Sequence, residues 1–152
     1  MFRWFAPVFL LGSIALCQVR VTTLNTDFDS RGRIDAQIIN TGKVAVSYCV
    51  EFGQISHKTG TGAAEDVEPT PIPFYVQKQN GSRWGTLMIG PDVGSSRRAV
   101  VLKAGESQQY PFRLSDRGRM RLVLDYWRGE NNKVCEQPTD KKTTRSGIFV
   151  VN

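Results

Sequence analysis

The sequence predicts an all-β protein, a sandwich of two sheets made from about eight or nine short strands. Apolar and polar residues alternate with period two along most of the chain, and no segment sustains the 3.6-residue period of a helix. Turn residues interrupt this alternation every 8 to 12 residues, roughly the spacing of a sandwich. Of the 152 residues, removing the first 17 leaves 135, which we expect to form one domain, residues 18–152.

Residues 1–17 are interpreted as a cleaved export signal. Arg3 precedes an apolar stretch, residues 5–16, that is shorter than the roughly 20 residues needed to span a bilayer. Cleavage after Ala15 or after Cys17 satisfies the small-residue rule for signal peptides. Two other interpretations of residues 1–17 are the signal of a lipoprotein that is lipidated at Cys17 and a buried strand of a cytosolic protein. We expect a secreted or periplasmic protein without a transmembrane helix in its mature chain.

The first three candidate strands are residues 19–24, 33–40 and 44–52. The third has the clearest alternation, and one face of it carries Val44, Val46, Tyr48, Val50 and Phe52. Because successive side chains of a strand point to opposite faces, Cys49 must lie on the face away from the core.

Six more candidate strands follow: residues 74–79, 84–89, 97–103, 108–114, 119–127 and 147–151. Asn80-Gly81 lies between two of them and predicts a hairpin. Pro111 has no N–H to donate, so its strand is expected at a sheet edge or at a bulge.

Cys49 and Cys135 remain if the signal is cut after Cys17, and two cysteines in an oxidising compartment are expected to pair. A disulfide that closes a loop of this length should stabilise the fold by roughly 4 to 5 kcal/mol in the chain-entropy model. Since Cys49 faces outward, the segment around Cys135 is expected to cover that outer face.

Four segments carry a resemblance to a known family: residues 38–53, 74–84, 100–114 and 118–129. Together they resemble the immunoglobulin-like or fibronectin-like sandwich modules of exported bacterial proteins, with turns at Asn40 to Gly42 and Gly105 to Ser107. The resemblance implies an immunoglobulin-like sandwich and a non-enzymatic role in binding or structural support at the cell envelope.

Two connections are long. Residues 53–73 contain several glycines and prolines and are interpreted as either a binding loop or a mobile crossover; the first would suit an exported proteinase inhibitor. Residues 130–146 are charged and polar, and we expect a loop held by the disulfide.

The residues indicate no catalytic chemistry. His57 is the only histidine, and nothing in the sequence positions it for a nucleophilic site. The Asp27 to Gly32 segment fails the calcium-loop pattern, and neither a phosphate-binding nor a dinucleotide-binding motif occurs. We therefore expect no enzyme, no metal and no cofactor.

The partner is expected to be an unknown protein or glycan of the cell envelope, and the sequence leaves the oligomeric state open. Two hypotheses concern the binding surface. A basic stripe that binds polyanions is predicted from Arg97, Arg98, Arg113, Arg117, Arg119 and Arg121. Nucleic acid is disfavoured because the nearby Tyr110 and Phe112 are on the core side. A carbohydrate-binding module would instead use Tyr75, Trp84 and Trp127; alternatively, Trp84 covers a sandwich end and Trp127 packs under the Cys135 loop.

Overall fold

The computed structural model describes residues 18–29, 32–53, 70–87, 96–136 and 139–152. In these ranges all regular secondary structure is β-strand. The strands are β1 (Val19–Thr23), β2 (Asp27–Phe28), β3 (Arg33–Asn40), β4 (Val46–Gly53), β5 (Thr70–Ile72), β6 (Tyr75–Asn80), β7 (Arg83–Leu87), β8 (Ser96–Leu102), β9 (Ser107–Arg113), β10 (Gly118–Arg128), β11 (Lys142–Arg145) and β12 (Phe149–Val151). The signal segment and His57 lie outside the described residues.

The described strands form two sheets. The first sheet has the order β1-β3-β9, and the second follows β2-β12-β10-β4-β5. Four more strands join the second sheet: β8 pairs with β4, both β6 and β11 pair with β10, and β7 pairs with β6. The order β1-β3-β9 opposite β8-β4-β10-β12 is that of an immunoglobulin-like sandwich. The predicted fold class is therefore confirmed.

The core lies between the two sheets and is formed by the alternating faces that the sequence predicts. Fully buried side chains include Ile34 and Ile38 on β3 and Leu122 and Leu124 on β10. The prediction for the segment before β4 is wrong at one residue: Val44 is 39% exposed, because it lies in the turn that precedes the strand.

Three strands were not predicted. β5 lies in the predicted 53–73 connection and β11 in the predicted 130–146 loop, while β2 has only two residues. None of them has enough alternating apolar residues to be recognised locally, and each is fixed by pairing with a longer strand.

Local turn chemistry was predicted correctly. β6 and β7 form a hairpin in which Asn80 pairs with Arg83, and Gly81 adopts the positive φ of 60° that the turn requires. In the described first sheet β9 is an edge strand, which accommodates Pro111. In the described ranges, no helix has the length and apolar character that crossing a bilayer requires.

Candidate binding cleft

β10 changes its neighbour along its length. Residues 120–123 pair with β6, whereas Trp127 and Arg128 pair with β4, so residues 124–126 pair with neither of these two strands. β5 pairs with β4, and only Pro73 and Phe74 separate it from β6. The β5-β6 segment therefore crosses from β4 to β10 and leaves a fork in the second sheet.

A cleft of ≈ 310 Å³ opens at this fork. Its walls come from β4, β5, β6, β8 and β10 and from the segment after β10. It is lined by Cys49, Glu51, Ile72, Pro73, Phe74, Tyr75, Arg97, Asp125, Trp127, Val134, Cys135 and Lys141. Its size is at the lower end of the range for ligand pockets, and its lining combines apolar side chains with a few charged ones.

The disulfide between Cys49 and Cys135 forms one wall of the cleft, and the predicted pairing is confirmed, with the two Cα atoms 5.2 Å apart. Cys49 is flanked on β4 by Tyr48 and Val50, which are buried in the core, so its side chain lies on the outer face as predicted. Residues 129–136, which include Cys135, lie over this outer face and are called the cover.

Ser47, also on the outer face of β4, attaches the cover independently of the disulfide. Its hydroxyl donates to the carbonyl oxygen of Gly129 at 2.7 Å and accepts from the backbone N–H of Asn131 at 2.8 Å. Val134 of the cover is 1% exposed. The backbone N–H of Gly129 also donates to the carbonyl oxygen of Ala45 at 2.7 Å, so three hydrogen bonds and one covalent bond hold the cover.

Trp127 is buried at the cleft. Its side chain is 7% exposed, and its indole Nε1 has no hydrogen-bond partner within the described ranges. A buried N–H without an acceptor costs about 1 to 3 kcal/mol, so such groups are rare in folded proteins.

Two ion pairs lie at the mouth of the cleft. Glu51 contacts Arg97 at 2.6 Å, and Asp125 accepts from the Lys141 amine at 2.9 Å. Thr143 donates to the other oxygen of Asp125 at 2.7 Å. The hydrogen bond to Asp125 raises the pKa of Lys141. Because all four charged side chains are partly exposed, a ligand can exchange contacts with them at little desolvation cost.

The three aromatic residues predicted for a glycan site do not form one surface. Tyr75 and Trp127 line the cleft, whereas Trp84 does not. Trp84 lies opposite Gln79 of β6, and Gln79 is four residues, or about 13 Å, from Tyr75 along that strand. The guanidinium carbon of Arg121 lies 4.1 Å from the centroid of the Trp84 ring and covers one of its faces. Trp127 is buried, so neither tryptophan offers a wide open face for stacking a sugar.

The predicted basic stripe is not one surface either. Arg113 projects from the first sheet, whereas Arg119 and Arg121 project from the second, because the chain changes sheets between β9 and β10. Arg117 lies in that connection. These side chains therefore belong to opposite faces of the sandwich.

Arg97 and Arg98 are adjacent on β8 and point to opposite faces of it. Arg97 pairs with Glu51 at the cleft, while Arg98 is opposite Val50 in the register and lies 5.1 Å from the Phe52 ring centroid. The alternation of a strand separates neighbours in this way.

Three charged residues of the cleft were not predicted from the sequence: Glu51, Asp125 and Lys141. A signal existed for the first two, since Glu51 shares the face of Cys49 on β4 and Asp125 interrupts the buried residues of β10. No local signal marks Lys141, which reaches the cleft because β11 pairs with β10.

No protein-family model matches the chain, and no curated protein matches it. Solved structures that resemble it include the ASH/PapD-like domain of human CEP192 (PapD-like domain 7), at 13% identity and a TM-score of 0.34, covering 89% of this chain and 85% of that one. Another is Spo0M, a sporulation control protein from Bacillus subtilis, at 12% identity and a TM-score of 0.38, covering 89% of this chain and 49% of that one. We assign the fold from the strand order and no function from these likenesses.

Proposed function

We propose that the protein is an exported, non-enzymatic domain of the cell envelope that binds a partner polypeptide through the cleft. The observation that carries this proposal is the cleft itself, where a disulfide-held cover meets a fork in the sheet over the buried, unpartnered indole of Trp127. An unpaired donor, apolar walls and exposed charges in one concavity are features of a binding site.

Export is supported by the signal pattern of residues 1–17 and by the disulfide, since disulfides persist in oxidising compartments. The resemblance to sandwich modules of exported bacterial proteins agrees with that location. The absence of enzymatic activity remains a proposal that rests on the sequence, where His57 is the only histidine and no catalytic spacing occurs.

A polypeptide suits the cleft better than a sugar does. A volume of ≈ 310 Å³ accommodates one or two side chains, and Ile72, Phe74 and Val134 give it an apolar lining. Charges of both signs at the mouth match a segment with charged residues beside an apolar anchor. A stacked sugar needs an open ring face, which the buried Trp127 does not provide.

Peptide display against the oxidised protein tests the binding proposal. The double variant Arg97→Glu with Lys141→Glu reverses one charge of each ion pair at the cleft. The matched control is Arg98→Glu with Lys142→Glu, which makes the same charge change at the neighbouring positions. We expect selected peptides to carry an apolar residue beside a charged one, and to bind the cleft variant at least tenfold more weakly than the control, by calorimetry.

Equal binding of the selected peptides to both double variants would refute the cleft as the site. A separate measurement tests export: the intact mass of the protein from its native host, before and after reduction and alkylation. We expect a chain that begins at Gln18 and gains two alkyl groups only after reduction. A chain that retains residues 1–17 and has free thiols would contradict the location.

A further inference from the structure

Two arginines lie side by side on the outer face of β10, away from the cleft. Arg119 donates from Nε to Oε1 of Gln79 at 2.9 Å, and Arg121 donates from Nε to Oε1 of Gln77 at 2.8 Å. Both glutamines are on β6, the neighbouring strand. Each guanidinium is thus oriented by a hydrogen bond at Nε, which leaves its terminal nitrogens available.

Trp84 fixes the second of these guanidinium groups further. The Arg121 carbon Cζ lies 4.1 Å from the centroid of the indole ring, in cation–π contact. Trp84 is on β7, so three adjacent strands contribute to the arrangement. Holding the planar group in place lowers the conformational entropy that binding an anion would cost.

Neither arginine forms an ion pair with a carboxylate of the described residues. In the described ranges no carboxylate oxygen lies within ion-pairing distance of Arg119 or Arg121, whereas Arg33 and Arg97 each have one at 2.8 Å and 2.6 Å. Residues two apart on a strand lie about 7 Å from each other on the same face, so the two positive charges repel. A row of anionic groups would offset that repulsion.

We propose that Arg119 and Arg121 bind an acidic polysaccharide, a chain bearing carboxylate or sulfate groups, on the outer face of β6, β7 and β10. The terminal nitrogens of an arginine match a planar carboxylate with two parallel hydrogen bonds. The exposed hydroxyl of Thr86, opposite Gln77 in the register, suits sugar hydroxyls. This site is separate from the cleft and does not depend on the function proposed for it.

The aromatic residues favour this ligand over a nucleic acid. Binding of single strands uses open rings on which bases stack. Here the guanidinium of Arg121 covers one face of Trp84, and the aromatic side chains of β9, Tyr110 and Phe112, are buried in the core. In the described part of this face the rings are Trp84, one side of which Arg121 covers, and Tyr75, which is half-buried at the cleft, so charge and hydrogen bonds outweigh open ring surface.

The test measures binding of polygalacturonate and heparin to the full oxidised chain, with neutral dextran and a single-stranded oligonucleotide for comparison. The variant Arg119→Gln with Arg121→Gln removes both charges. Its matched control, Arg33→Gln with Arg113→Gln, removes two charges that face each other on the first sheet. We expect the first variant to lose at least tenfold in affinity for the acidic glycans and the control to stay within threefold.

The salt dependence provides a second readout. Each lost contact with a charged group on a polyanion should lower the slope of log affinity against log salt by roughly 0.7 to 0.9. The charge-preserving variant Arg119→Lys with Arg121→Lys should keep that slope but bind several-fold more weakly, because lysine lacks the planar fork. Trp84→Leu should also weaken binding without changing the slope.

Three results would overturn the proposal: equal losses in the glutamine variant and its control, binding of the lysine variant at wild-type affinity, or tighter binding of the oligonucleotide than of both acidic glycans. Circular dichroism of each variant establishes that it is folded. If the glutamine variant does not fold, the lysine variant and Trp84→Leu decide the question.

Discussion

The phenolic oxygens of Tyr48 and Tyr110 lie 2.8 Å apart in the core and form a hydrogen bond between the two sheets. Tyr48 belongs to β4 and Tyr110 to β9, and their rings meet edge to face with centroids 6.3 Å apart. One hydroxyl donates to the other in the buried core, so the pair specifies how the sheets align.

Replacing either tyrosine by phenylalanine is expected to lower the free energy of unfolding by about 1 to 3 kcal/mol, because the remaining hydroxyl is buried without its partner. Tyr48→Phe with Tyr110→Phe removes both hydroxyls and should cost less than the sum of the single variants. Urea denaturation of the three variants measures this coupling. Additive losses would mean that the hydroxyls do not depend on each other.

Alkaline pH should destabilise the protein through the same pair. Burial raises the pKa of both Tyr48 and Tyr110 above the ordinary tyrosine value of 10.0. Above pH 10 the unfolded chain therefore loses protons that the folded chain keeps, so stability is intact below pH 10 and falls as the pH rises further. Phenolate absorbance from these two residues should appear only with unfolding. A titration in which Tyr48→Phe with Tyr110→Phe leaves the delayed absorbance unchanged would contradict this assignment.

Asn40 joins two turns from a fully buried position. Its Nδ2 donates to the carbonyl oxygens of Val44 and Leu102 at 2.9 Å and 3.0 Å, and its Oδ1 accepts from the backbone N–H of Gly42. Asn40→Asp removes both donors and should lower the free energy of unfolding by about 2 to 4 kcal/mol at pH 7.

The loss in Asn40→Asp should shrink as the pH falls below about 5, because a protonated carboxyl can donate one hydrogen bond. Thermal unfolding between pH 4 and pH 8 measures this dependence. The control is Asn80→Asp at the exposed hairpin turn, which we expect to change stability by less than about 0.5 kcal/mol. A pH-independent loss in Asn40→Asp would argue against the hydrogen-bond explanation.

Ser47→Ala should release the start of the cover while the disulfide remains. The substitution removes the donor to Gly129 and the acceptor for Asn131, at a cost of about 1 to 3 kcal/mol. Hydrogen exchange should show faster exchange of the Asn131 amide. Ser107→Ala, at an exposed serine of β9, provides the comparison and should leave both quantities nearly unchanged.

Loss of the disulfide should have a larger effect. Cys49→Ala with Cys135→Ala opens a loop with a sequence separation of 86 residues, and chain entropy predicts a loss of about 4 to 5 kcal/mol. The cleft also loses a wall, so peptides selected for the cleft should bind this variant weakly. Calorimetry of the oxidised protein and the variant measures both effects, and unchanged stability would show that the disulfide is not needed to hold the cover.

The sequence by itself determined nine of the twelve described strands and the face to which their residues point. Period-two alternation placed Tyr48 and Val50 in the core and Cys49 outside it, because a strand turns successive side chains in opposite directions whatever its partners. Turn chemistry placed the hairpin at Asn80 and Gly81 for an equally local reason.

Only the tertiary structure decided which strands are neighbours. Any strand edge offers the same backbone donors and acceptors, so alternation does not specify a partner, and pairing is selected by packing across the whole core. That selection separated Arg113 from Arg119, brought Lys141 to Asp125, and made the fork in the second sheet. The cleft lies at such a junction between strands distant in sequence, so the sequence could mark single residues of it, such as Tyr75 and Trp127, but not their arrangement.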